Sequence, residues 1–316
     1  MKKISLWLLS LLASVSLAAT PPLKKVTVVL DWFPNPDHAP LVIAQQQGFF
    51  KEQGLEVTLI GPSEPTDPSK WVAAGKADIG LVYQPSFIEA VDRGLPLIRI
   101  GTLIDKPLNC LVVLKESGIK TLADLKGKTI GISMGGFSDI TLKSLLAKQH
   151  LTENDIHLVN VKYNLSQALL AHQVDAITGV MRNYEVPELE AKGFNIVTFL
   201  PEDNGIPNYS ELIFVTNTKQ AHDKRWPKFM AALKKAVAHL DTHSRETWLA
   251  FATHYPEANN PVNRAAWFAT IPYFAEDPAN IDNEQWGTVA QYMQKNALIK
   301  IAQPVSRYAV TLPVAS

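Results

Sequence analysis

Short runs of apolar and β-branched residues recur along the chain in a pattern typical of buried strands. The predicted strands are residues 26–30, 55–60, 78–82, 97–103, 109–114, 129–133, 156–161, 175–180, 194–199 and 211–216. Most of them are separated by segments of helical periodicity, several of which end at a glycine. The predicted helices are residues 40–47, 70–76, 86–93, 121–125, 140–149, 166–172 and 184–192. This alternation predicts an α/β protein with largely parallel sheets.

The order of these elements predicts two similar halves. The alternation restarts near residue 121, and no low-complexity linker divides the chain there. From Trp226 onward the pattern is mostly helical to the end of the chain. We therefore predict two α/β lobes joined by strand-like crossings, with a helical C-terminal tail packing back on them. In such folds a ligand binds in a cleft where strand ends, loops and helix N-termini converge.

The first residues predict an export signal. Lys2 and Lys3 precede an apolar stretch, residues 4–17, and Ala18 ends a small-residue site for a signal peptidase. We predict a signal peptide over residues 1–18, with a cut after Ala19 as the alternative. A membrane anchor is the other interpretation, but the apolar run is shorter than the roughly 20 residues that a span needs. Since no cysteine lies near the cut, we expect a freely soluble periplasmic protein without a lipid anchor.

Composition removes several classes of function. Lys+Arg and Asp+Glu both number 30, which argues against nucleic-acid binding through broad positive charge. Cys110 is the single cysteine, so the chain has neither an intrachain disulfide nor a multi-cysteine metal site. The histidines show no metal-ligand spacing, and the motifs of serine hydrolases and zinc proteases are absent from the sequence. We therefore expect no cofactor, no metal and no catalytic set.

Four loops directly follow predicted strands and should open on one cleft: residues 31–38, 83–86, 134–139 and 181–185. In the first, Trp32 is suited to stack on a planar ligand, and Asp31 or Asn35 to bond its polar edge. The alternative is that Trp32 covers a core and Asp37 caps the following helix. Tyr83, at the start of the second loop, is either a site residue or a core residue packing between the lobes.

The third and fourth loops offer complementary chemistry. In the third, Gly135-Gly136-Phe137-Ser138 presents backbone N–H groups ahead of a helix, which suits a carbonyl or a partial negative charge. Asp139 at that helix start opposes a full anion, and the glycine pattern matches no nucleotide-binding fingerprint. In the fourth, Tyr184 and Glu185 combine a ring with a carboxylate that suits an amino group beside a ring nitrogen. Ordinary helix starts are the alternative for both loops.

Two stretches of sequence resemble a known family. LDWFPNPDH at residues 30–38 and GFFKEQGL at 48–55 are similar to the opening of the thiamine-precursor binding family. That family comprises periplasmic binding proteins of ABC importers for thiamine pyrimidines, together with related synthases of the same pyrimidine. AGKADIG at 74–80, GIKTLADLKGKTIG at 118–131 and VDA at 174–176 also match, so the resemblance covers about residues 26–218. The Gly-Lys-Ala-Asp motif is shared with sulfonate and nitrate binders, whereas Asp-Trp-x-Pro-Asn-x-x-His is more specific.

The resemblance implies a type II periplasmic-binding-protein fold. Lobe 1 would comprise residues 24–114 plus 212–316, lobe 2 residues 115–211, and the crossings would act as hinges. It further implies a monomer that binds a pyrimidine between the lobes and delivers it to an ABC permease in the inner membrane, with no nucleic acid as partner. The ligand-binding residues that we predict are Asp31, Trp32, Asn35, His38, Tyr83, Gly136, Phe137, Ser138, Asn183, Tyr184 and Glu185.

Departures from the family pattern favour a binding protein over an enzyme. The synthases use a lysine that carries pyridoxal phosphate and a histidine consumed as a substrate, and the matching positions here are Val82 and Ser86. A valine cannot form a Schiff base. The cysteine-rich run of the synthases corresponds to residues 201–212, PEDNGIPNYSEL, which contain no cysteine. The alternatives are a binder of a sulfonate, nitrate or a flavin precursor on the same fold and, less favoured, a synthase-like enzyme. An anion site should gather basic residues, yet Arg182 is the one basic residue in these loops.

Overall fold

The computed structural model describes residues 22–63, 67–133 and 137–313, and within them the strands form two five-stranded sheets. The predicted signal peptide, residues 1–18, lies outside the described residues. The strands are β1 Lys24–Val29, β2 Leu55–Ile60, β3 Ile79–Val82, β4 Leu97–Ile104, β5 Asn109–Leu114, β6 Thr129–Ile132, β7 His157–Asn160, β8 Ala176–Met181, β9 Ile196–Phe199 and β10 Leu212–Asn217.

Helices connect and cover the strands, close to the predicted positions. They are α1 Ala39–Gln46, α2 Phe49–Glu52, α3 Asp67–Ala73, α4 Gln84–Asp92, α5 Phe137–Ala147, α6 Leu165–Leu170, α7 Glu185–Ala191, α8 Arg225–Thr242, α9 Ser244–His254, α10 Pro261–Thr270 and α11 Asn283–Lys295. The helix expected at residues 121–125 is a 3-10 turn, Leu122–Leu125. The last part of the tail departs from the helical expectation, because no α-helix follows α11 within the described residues.

The two sheets have the same topology. The first sheet runs β2-β1-β3-β10-β4 and the second β7-β6-β8-β5-β9. In the first sheet β10 is antiparallel to both of its neighbours, and in the second β5 is antiparallel to both of its own. The remaining four strands of each sheet are parallel. Both sheets are therefore mixed rather than largely parallel, because four of the eight strand pairings are antiparallel. In each sheet the antiparallel strand is the one that enters from the other lobe.

Two crossing segments join the sheets. Residues 105–108 lead from β4 to β5, and residues 200–211 lead from β9 to β10. The prediction placed residues 109–114 in lobe 1, but β5 pairs between β8 and β9 in the second sheet. Its apolar sequence resembles that of β4, and only the pairing distinguishes their sheets. We therefore propose lobe bounds that move this strand into lobe 2.

The C-terminal tail encloses the first sheet on both faces. Trp226, Phe229 and Trp267 from the tail pack with β1, β3, α1 and α2 in one buried cluster. Trp286 of α11 packs on the opposite face with Phe87 of α4. The final segment runs beside β4, where the Arg99 backbone N–H donates to the Tyr308 carbonyl at 2.8 Å. The tail is thus part of the core of the first lobe.

The second lobe has a smaller core of the same design. One face of its sheet packs against α5 and the 3-10 turn Leu122–Leu125, through Leu142, Leu145 and Leu146. The other face packs against α6 and α7, through Leu165 and Leu189. Because β1, β3 and β8 all end toward the space between the sheets, the loops that follow them meet there. Among the described residues, no helix combines the length and apolarity needed to cross a membrane.

Candidate functional site

A cavity of about 240 Å³ lies between the two lobes and is lined by residues of both. Its lining residues are Asp31, Trp32, Phe33, Pro34, Asn35, Asp37, Tyr83, Gly179, Met181, Tyr184, Glu185, Glu257, Ala258 and Asn263. A larger hollow of about 730 Å³ lies beside the crossing segments, at Pro107, Arg182 and Trp286. We take the smaller cavity as the site, because the loops that follow β1, β3 and β8 meet in it.

The first loop is held in shape by its own side chains. Asn35 Oδ1 accepts from the Asp37 backbone N–H at 2.8 Å, which caps the 3-10 helix Pro36–His38. The Asn35 backbone N–H in turn donates to His38 Nδ1 at 3.2 Å. Pro36 supplies a fixed backbone angle at the first position of this short helix. Asn35 therefore acts mainly on its own loop, and the loop presents Trp32 and Phe33 to the cavity.

Asp31 is an anchor for two neighbouring side chains. Because His38 Nδ1 accepts a hydrogen bond, His38 Nε2 carries the proton and donates to Asp31 Oδ1 at 3.0 Å. The Tyr83 hydroxyl donates to Asp31 Oδ2 at 2.7 Å. Burial, reinforced by the charge of Asp31, raises the pKa of Tyr83 well above 10, so the hydroxyl remains a donor. Both carboxylate oxygens have protein partners, which makes Asp31 a positioning residue for Tyr83.

Aromatic rings from both lobes meet beside the cavity. The Trp32 ring lies 4.5 Å from that of Tyr163, centroid to centroid, at an interplanar angle of 79°. The Phe33 ring lies 4.8 Å from the same tyrosine. Tyr163 precedes α6 in the second lobe, so this edge-to-face contact joins the lobes. The arrangement leaves Trp32 fixed beside the cavity, as a surface for a flat ligand.

A bulge in β8 shapes the opposite wall. Cys110 pairs with Val180 and Leu111 with Thr178, so Gly179 is the extra residue in the ladder. Gly179 has φ of +85°, a backbone conformation that side-chain-bearing residues rarely adopt. Bulges of this kind redirect the strand end that follows them. Gly179 and Met181 thereby both reach the cavity lining.

Glu185 begins α7 and folds back on the end of β8. Its Oε2 atom accepts from the Met181 backbone N–H at 2.7 Å. Desolvation outweighs this hydrogen bond and raises the pKa of Glu185 to about 8. Desolvation also raises the pKa of the neighbouring Tyr184 to about 12. At neutral pH the cavity therefore contains a protonated carboxyl group beside a tyrosine hydroxyl.

A buried hydrogen-bond cluster joins the lobes next to the cavity. Asn183 Nδ2 donates to Asp37 Oδ1 at 2.7 Å and to Thr270 Oγ1 at 2.6 Å. Asp37 belongs to the loop after β1, Asn183 to the loop after β8, and Thr270 to α10. Burial raises the pKa of Asp37 to about 6, although the bond from Asn183 opposes the rise. We name these three residues the interlobe latch, since they fasten the first lobe to the second.

A second buried carboxyl group ties the two crossing segments together. Glu211 is fully buried, and its Oε2 atom accepts from the backbone N–H groups of Leu108 and Asn109, the latter at 2.9 Å. Desolvation raises the pKa of Glu211 to about 8. Since residue 211 ends one crossing and residue 108 ends the other, this carboxyl group fixes their relative position.

The structure gathers most of the predicted site residues at one place but divides their roles. Six of them line the cavity: Asp31, Trp32, Asn35, Tyr83, Tyr184 and Glu185. His38 is fully buried behind Asp31, and Asn183 is buried in the interlobe latch, so neither lines the cavity. Gly136 lies outside the described residues. The backbone at Phe137 and Ser138 starts α5, while their side chains are outside what the structure describes.

Several residues at the cavity were not predicted from the sequence. Asp37 was considered only as a helix cap, whereas it faces the second lobe across the cavity edge. Gly179 carried a usable signal, because an isolated glycine inside a strand indicates a bulge. Glu257, Ala258 and Asn263 come from the C-terminal tail, where the helical pattern gave no sign of a site. Tyr163 follows β7 and does not line the cavity, but its ring contacts those of Trp32 and Phe33, which do.

Comparison with known proteins identifies sequence relatives over nearly the whole chain. The profile of the family described as NMT1/THI5 like matches residues 35–247. A Haemophilus influenzae protein whose name refers to thiamine biosynthesis is 43% identical over 290 residues, covering 92% of both chains. The formylaminopyrimidine-binding protein of Halalkalibacterium halodurans is 29% identical, covering 90% of this chain and 88% of its own. A 4-amino-5-hydroxymethyl-2-methylpyrimidine phosphate synthase of Uromyces fabae is 28% identical, covering 87% and 84%.

Solved structures match the fold. The alkanesulfonate-binding protein SsuA of Xanthomonas axonopodis superposes with a TM-score of 0.72 at 18% identity, covering 92% of this chain and 99% of its own. The periplasmic aliphatic sulphonate binding protein SsuA of Escherichia coli gives 0.70 at 15% identity, covering 93% and 94%. At such identities the likeness bears on the fold alone. The predicted periplasmic-binding-protein fold, with two α/β lobes and an intervening cleft, is confirmed.

Proposed function

The chain belongs to the NMT1/THI5-like family, and from that premise we propose that it is an exported protein that captures a thiamine-related pyrimidine. A solute-binding role follows from the periplasmic-binding-protein fold and from a relative named for binding a formylaminopyrimidine. The pyrimidine would bind in the cavity between the lobes, and the closed protein would deliver it to an ABC permease. We further propose that the mature protein is a periplasmic monomer without a cofactor.

The observation that carries the ligand assignment is the chemistry of the cavity wall. Trp32 offers a flat aromatic surface, and Tyr184 and Glu185 offer polar groups from the opposite lobe. A pyrimidine has flat faces and an edge of ring nitrogens and amino groups, which this combination suits. Among the described residues that line the cavity, none is a lysine or an arginine. Sulfonate and nitrate, two of the alternative ligands, would lack a cationic partner there, and a flavin precursor is the third alternative.

We also propose that the protein binds its ligand without chemical conversion. The position that carries the cofactor lysine in the synthases corresponds to Val82, which ends β3 and is buried directly before Tyr83. An aliphatic side chain at that place offers no amine for a Schiff base. The synthase-like enzyme therefore remains the less favoured alternative. Ser86 and the cysteine-free residues 201–212 depart from the synthase pattern as well.

Delivery requires a closed state that a permease can distinguish from an open one. A ligand that binds the closed state more tightly shifts the equilibrium toward it. The interlobe latch, Asp37, Asn183 and Thr270, supplies contacts that exist only while the lobes are together. We propose that the ligand in the cavity and the latch beside it act jointly to favour closure.

Thermal unfolding in the presence of candidate ligands tests the proposed function. The panel comprises 4-amino-5-hydroxymethyl-2-methylpyrimidine, the formylaminopyrimidine, an alkanesulfonate, nitrate and a flavin precursor. At 100 times its dissociation constant, a specific ligand should add about 2.7 kcal/mol to the free energy of unfolding. We expect this stabilisation from at least one pyrimidine and none from the two anions. Stabilisation by the sulfonate or nitrate alone would overturn the ligand assignment.

A further inference from the structure

Asn263 presents an unused hydrogen-bond acceptor to the cavity. It lies in the first turn of α10, it is only 5% exposed, and it is one of the lining residues. Its side chain is hydrogen-bonded to Tyr184, whereas its Oδ1 atom has no partner in the protein. A buried carbonyl oxygen without a partner costs free energy unless a ligand or solvent donates to it. Asn263 Oδ1 is therefore placed to accept a hydrogen bond from a donor group on the ligand.

The charged groups around the cavity are acidic. Asp31, Asp37, Glu185 and Glu257 all belong to its lining, with no lysine or arginine among the described lining residues. Asp31 is the one carboxyl group among them that is paired with a histidine, His38. A further negative charge in this wall would be opposed by its neighbours and by desolvation.

Polar and charged groups face Glu185 from each element that packs around it. On its own helix and loop are Tyr184 and Glu188, and Glu188 is paired with Lys192. The facing loop contributes Asp37, and α10 contributes Asn263, with Arg264 exposed beside it.

Charged groups farther from the cavity do not offset the excess of acidic groups around it. Arg182 is held by Glu202, on the side of the crossing segments. The buried Glu211 adds a carboxyl group near Tyr83, within the same electrostatic environment as Asp37. No described cation that lines the cavity is thus available to neutralise Glu185.

We propose that the cavity binds an amino-substituted nitrogen heterocycle together with one proton, which is shared between the Glu185 carboxyl group and a ring nitrogen. Asn263 Oδ1 accepts from the exocyclic amino group of the same ring. This inference rests on the proposed function and specifies the chemical form of the ligand. It also makes Asn263 a specificity-determining residue contributed by the C-terminal tail.

The proton balance of binding is simple. No covalent bond between heavy atoms changes; the carboxyl O–H bond of Glu185 weakens as the ring N–H bond forms. Below pH 8 Glu185 already carries the proton, so a neutral heterocycle binds without net proton uptake. Above pH 8 the carboxyl group of the free protein is ionised, and binding must take one proton from solvent. Affinity should then fall by up to tenfold per pH unit.

The experiment is a calorimetric titration of the protein with 4-amino-5-hydroxymethyl-2-methylpyrimidine between pH 6.5 and 9.5. We expect a constant affinity up to about pH 8 and a fall above it, accompanied by proton uptake that is visible in buffers of different ionisation enthalpy. In Glu185→Gln the affinity should be lower and its decline above pH 8 should be absent. Glu190→Gln, an exposed change on the same helix, is the matched control and should retain the wild-type profile.

The role of Asn263 is tested by measuring the affinities of two proteins, the wild type and Asn263→Ala, for two ligands. Asn263→Ala should weaken binding of the amino-substituted pyrimidine by about tenfold, as expected for one hydrogen bond in a closed site. The analogue with hydrogen in place of the amino group should bind Asn263→Ala and the wild type equally. A merely structural role would weaken both probes alike. Asn259→Ala, an exposed change that precedes the same helix, is the control.

The possible outcomes separate this inference from the proposed function. Binding of neither pyrimidine at any pH would overturn the proposed function itself. Binding whose affinity rises through pH 8 would mean that Glu185 acts as an anion, which would overturn the shared proton. An equal loss of affinity for the amino-substituted pyrimidine and for its analogue in Asn263→Ala would overturn the assigned role of Asn263.

Discussion

At the scale of single residues, polar side chains around the cavity fall into those that face it and those that hold others in place. Asp31 and His38 look equivalent in the sequence, since both lie in one polar loop. In the structure His38 is fully buried and orients Asp31, and Asp31 in turn orients the Tyr83 hydroxyl. Sequence alone could identify the loop but not this order, because the order depends on burial and on contacts with β3.

Trp32 gives the first prediction at this scale. Trp32→Ala removes the aromatic surface and should weaken pyrimidine binding by about tenfold or more, since aromatic pairs contribute about 0.5–1.5 kcal/mol beyond the area that they bury. Trp32→Phe keeps a smaller ring and should give an intermediate loss. Fluorescence titration or calorimetry with the formylaminopyrimidine measures both. Equal affinity in all three proteins would mean that Trp32 does not contact the ligand.

The residues that the sequence did not reveal share a physical cause. Glu257 and Asn263 come from the tail and reach the cavity only because α10 packs beside the loops after β1 and β8. Such proximity is set by tertiary packing, and no local pattern of residue types encodes it. The loops at strand ends, in contrast, were predictable, because the carboxyl ends of parallel strands gather at one edge of a sheet.

At the scale of elements, two buried polar clusters determine how the lobes are joined. The interlobe latch connects α10 and the loop after β1 to the loop after β8. Glu211 connects one crossing segment to the other. The latch bonds run from one lobe to the other, whereas the Glu211 bonds lie within the crossing segments, which we propose to be the hinges. The two clusters therefore affect different properties, closure and stability.

The latch predicts a shift toward the open state when it is broken. Asn183→Ala removes the hydrogen bonds that Asn183 Nδ2 donates to Asp37 and Thr270, and leaves Asp37 Oδ1 with the longer bond from Thr270 Oγ1 at 3.3 Å. We expect a larger radius of gyration for the ligand-free variant in solution X-ray scattering, and a ligand affinity lowered by about tenfold because closure is less populated. Asn164→Ala, an exposed change in the same lobe, should leave both values as in the wild type. Unchanged scattering in Asn183→Ala would contradict the role of the latch.

Glu211 predicts a pH dependence of stability with a definite sign. Its pKa is about 8 in the folded protein and about 4.5 in the unfolded chain, so the folded state binds more protons between those values. The free energy of unfolding should therefore fall as pH rises from about 4.5 to 8, by up to roughly 1.4 kcal/mol per pH unit from this group. Glu185 and Asp37 contribute in the same direction, since their pKa values are also raised.

Urea unfolding at a series of pH values checks this sign. Glu211→Gln keeps an oxygen that accepts from the backbone N–H groups of Leu108 and Asn109, but it cannot ionise. The free energy of unfolding of this variant should therefore fall less steeply with pH, and the contributions of Glu185 and Asp37 to that fall should remain. Glu116→Gln, at an exposed position in the second lobe, should follow the wild-type curve. A wild-type stability that increases between pH 5 and 8 would contradict the assignment of these buried carboxyl groups.

At the scale of the whole molecule, the alternation of strands and helices was sufficient to predict two α/β lobes and a packed tail. The one strand assigned to the wrong sheet, β5, shows why the prediction stops there. β4 and β5 are both mostly apolar, because each is buried along its whole length. Their sheet is decided by pairing partners far away in the chain, β10 for one and β8 with β9 for the other. Local hydrophobicity contains no information about that choice.

Proteins similar to this chain are named for different ligands, a formylaminopyrimidine in one case and sulfonates in others, so the similarity alone leaves the ligand open. The cavity of this chain is small and lined by Trp32, Glu185 and Asn263, with several carboxyl groups and, among the described lining residues, no lysine or arginine. The central claim is accordingly that this cavity selects a pyrimidine over an anion of similar size.

Native mass spectrometry of the folded protein, mixed with equal amounts of 4-amino-5-hydroxymethyl-2-methylpyrimidine, the formylaminopyrimidine, an alkanesulfonate and nitrate, tests that claim most directly. We expect a single complex of one protein with one pyrimidine, which is depleted in Trp32→Ala and retained in the surface variant Glu190→Gln. Retention of the sulfonate or nitrate in preference to both pyrimidines, or retention of no pyrimidine at all, would contradict it.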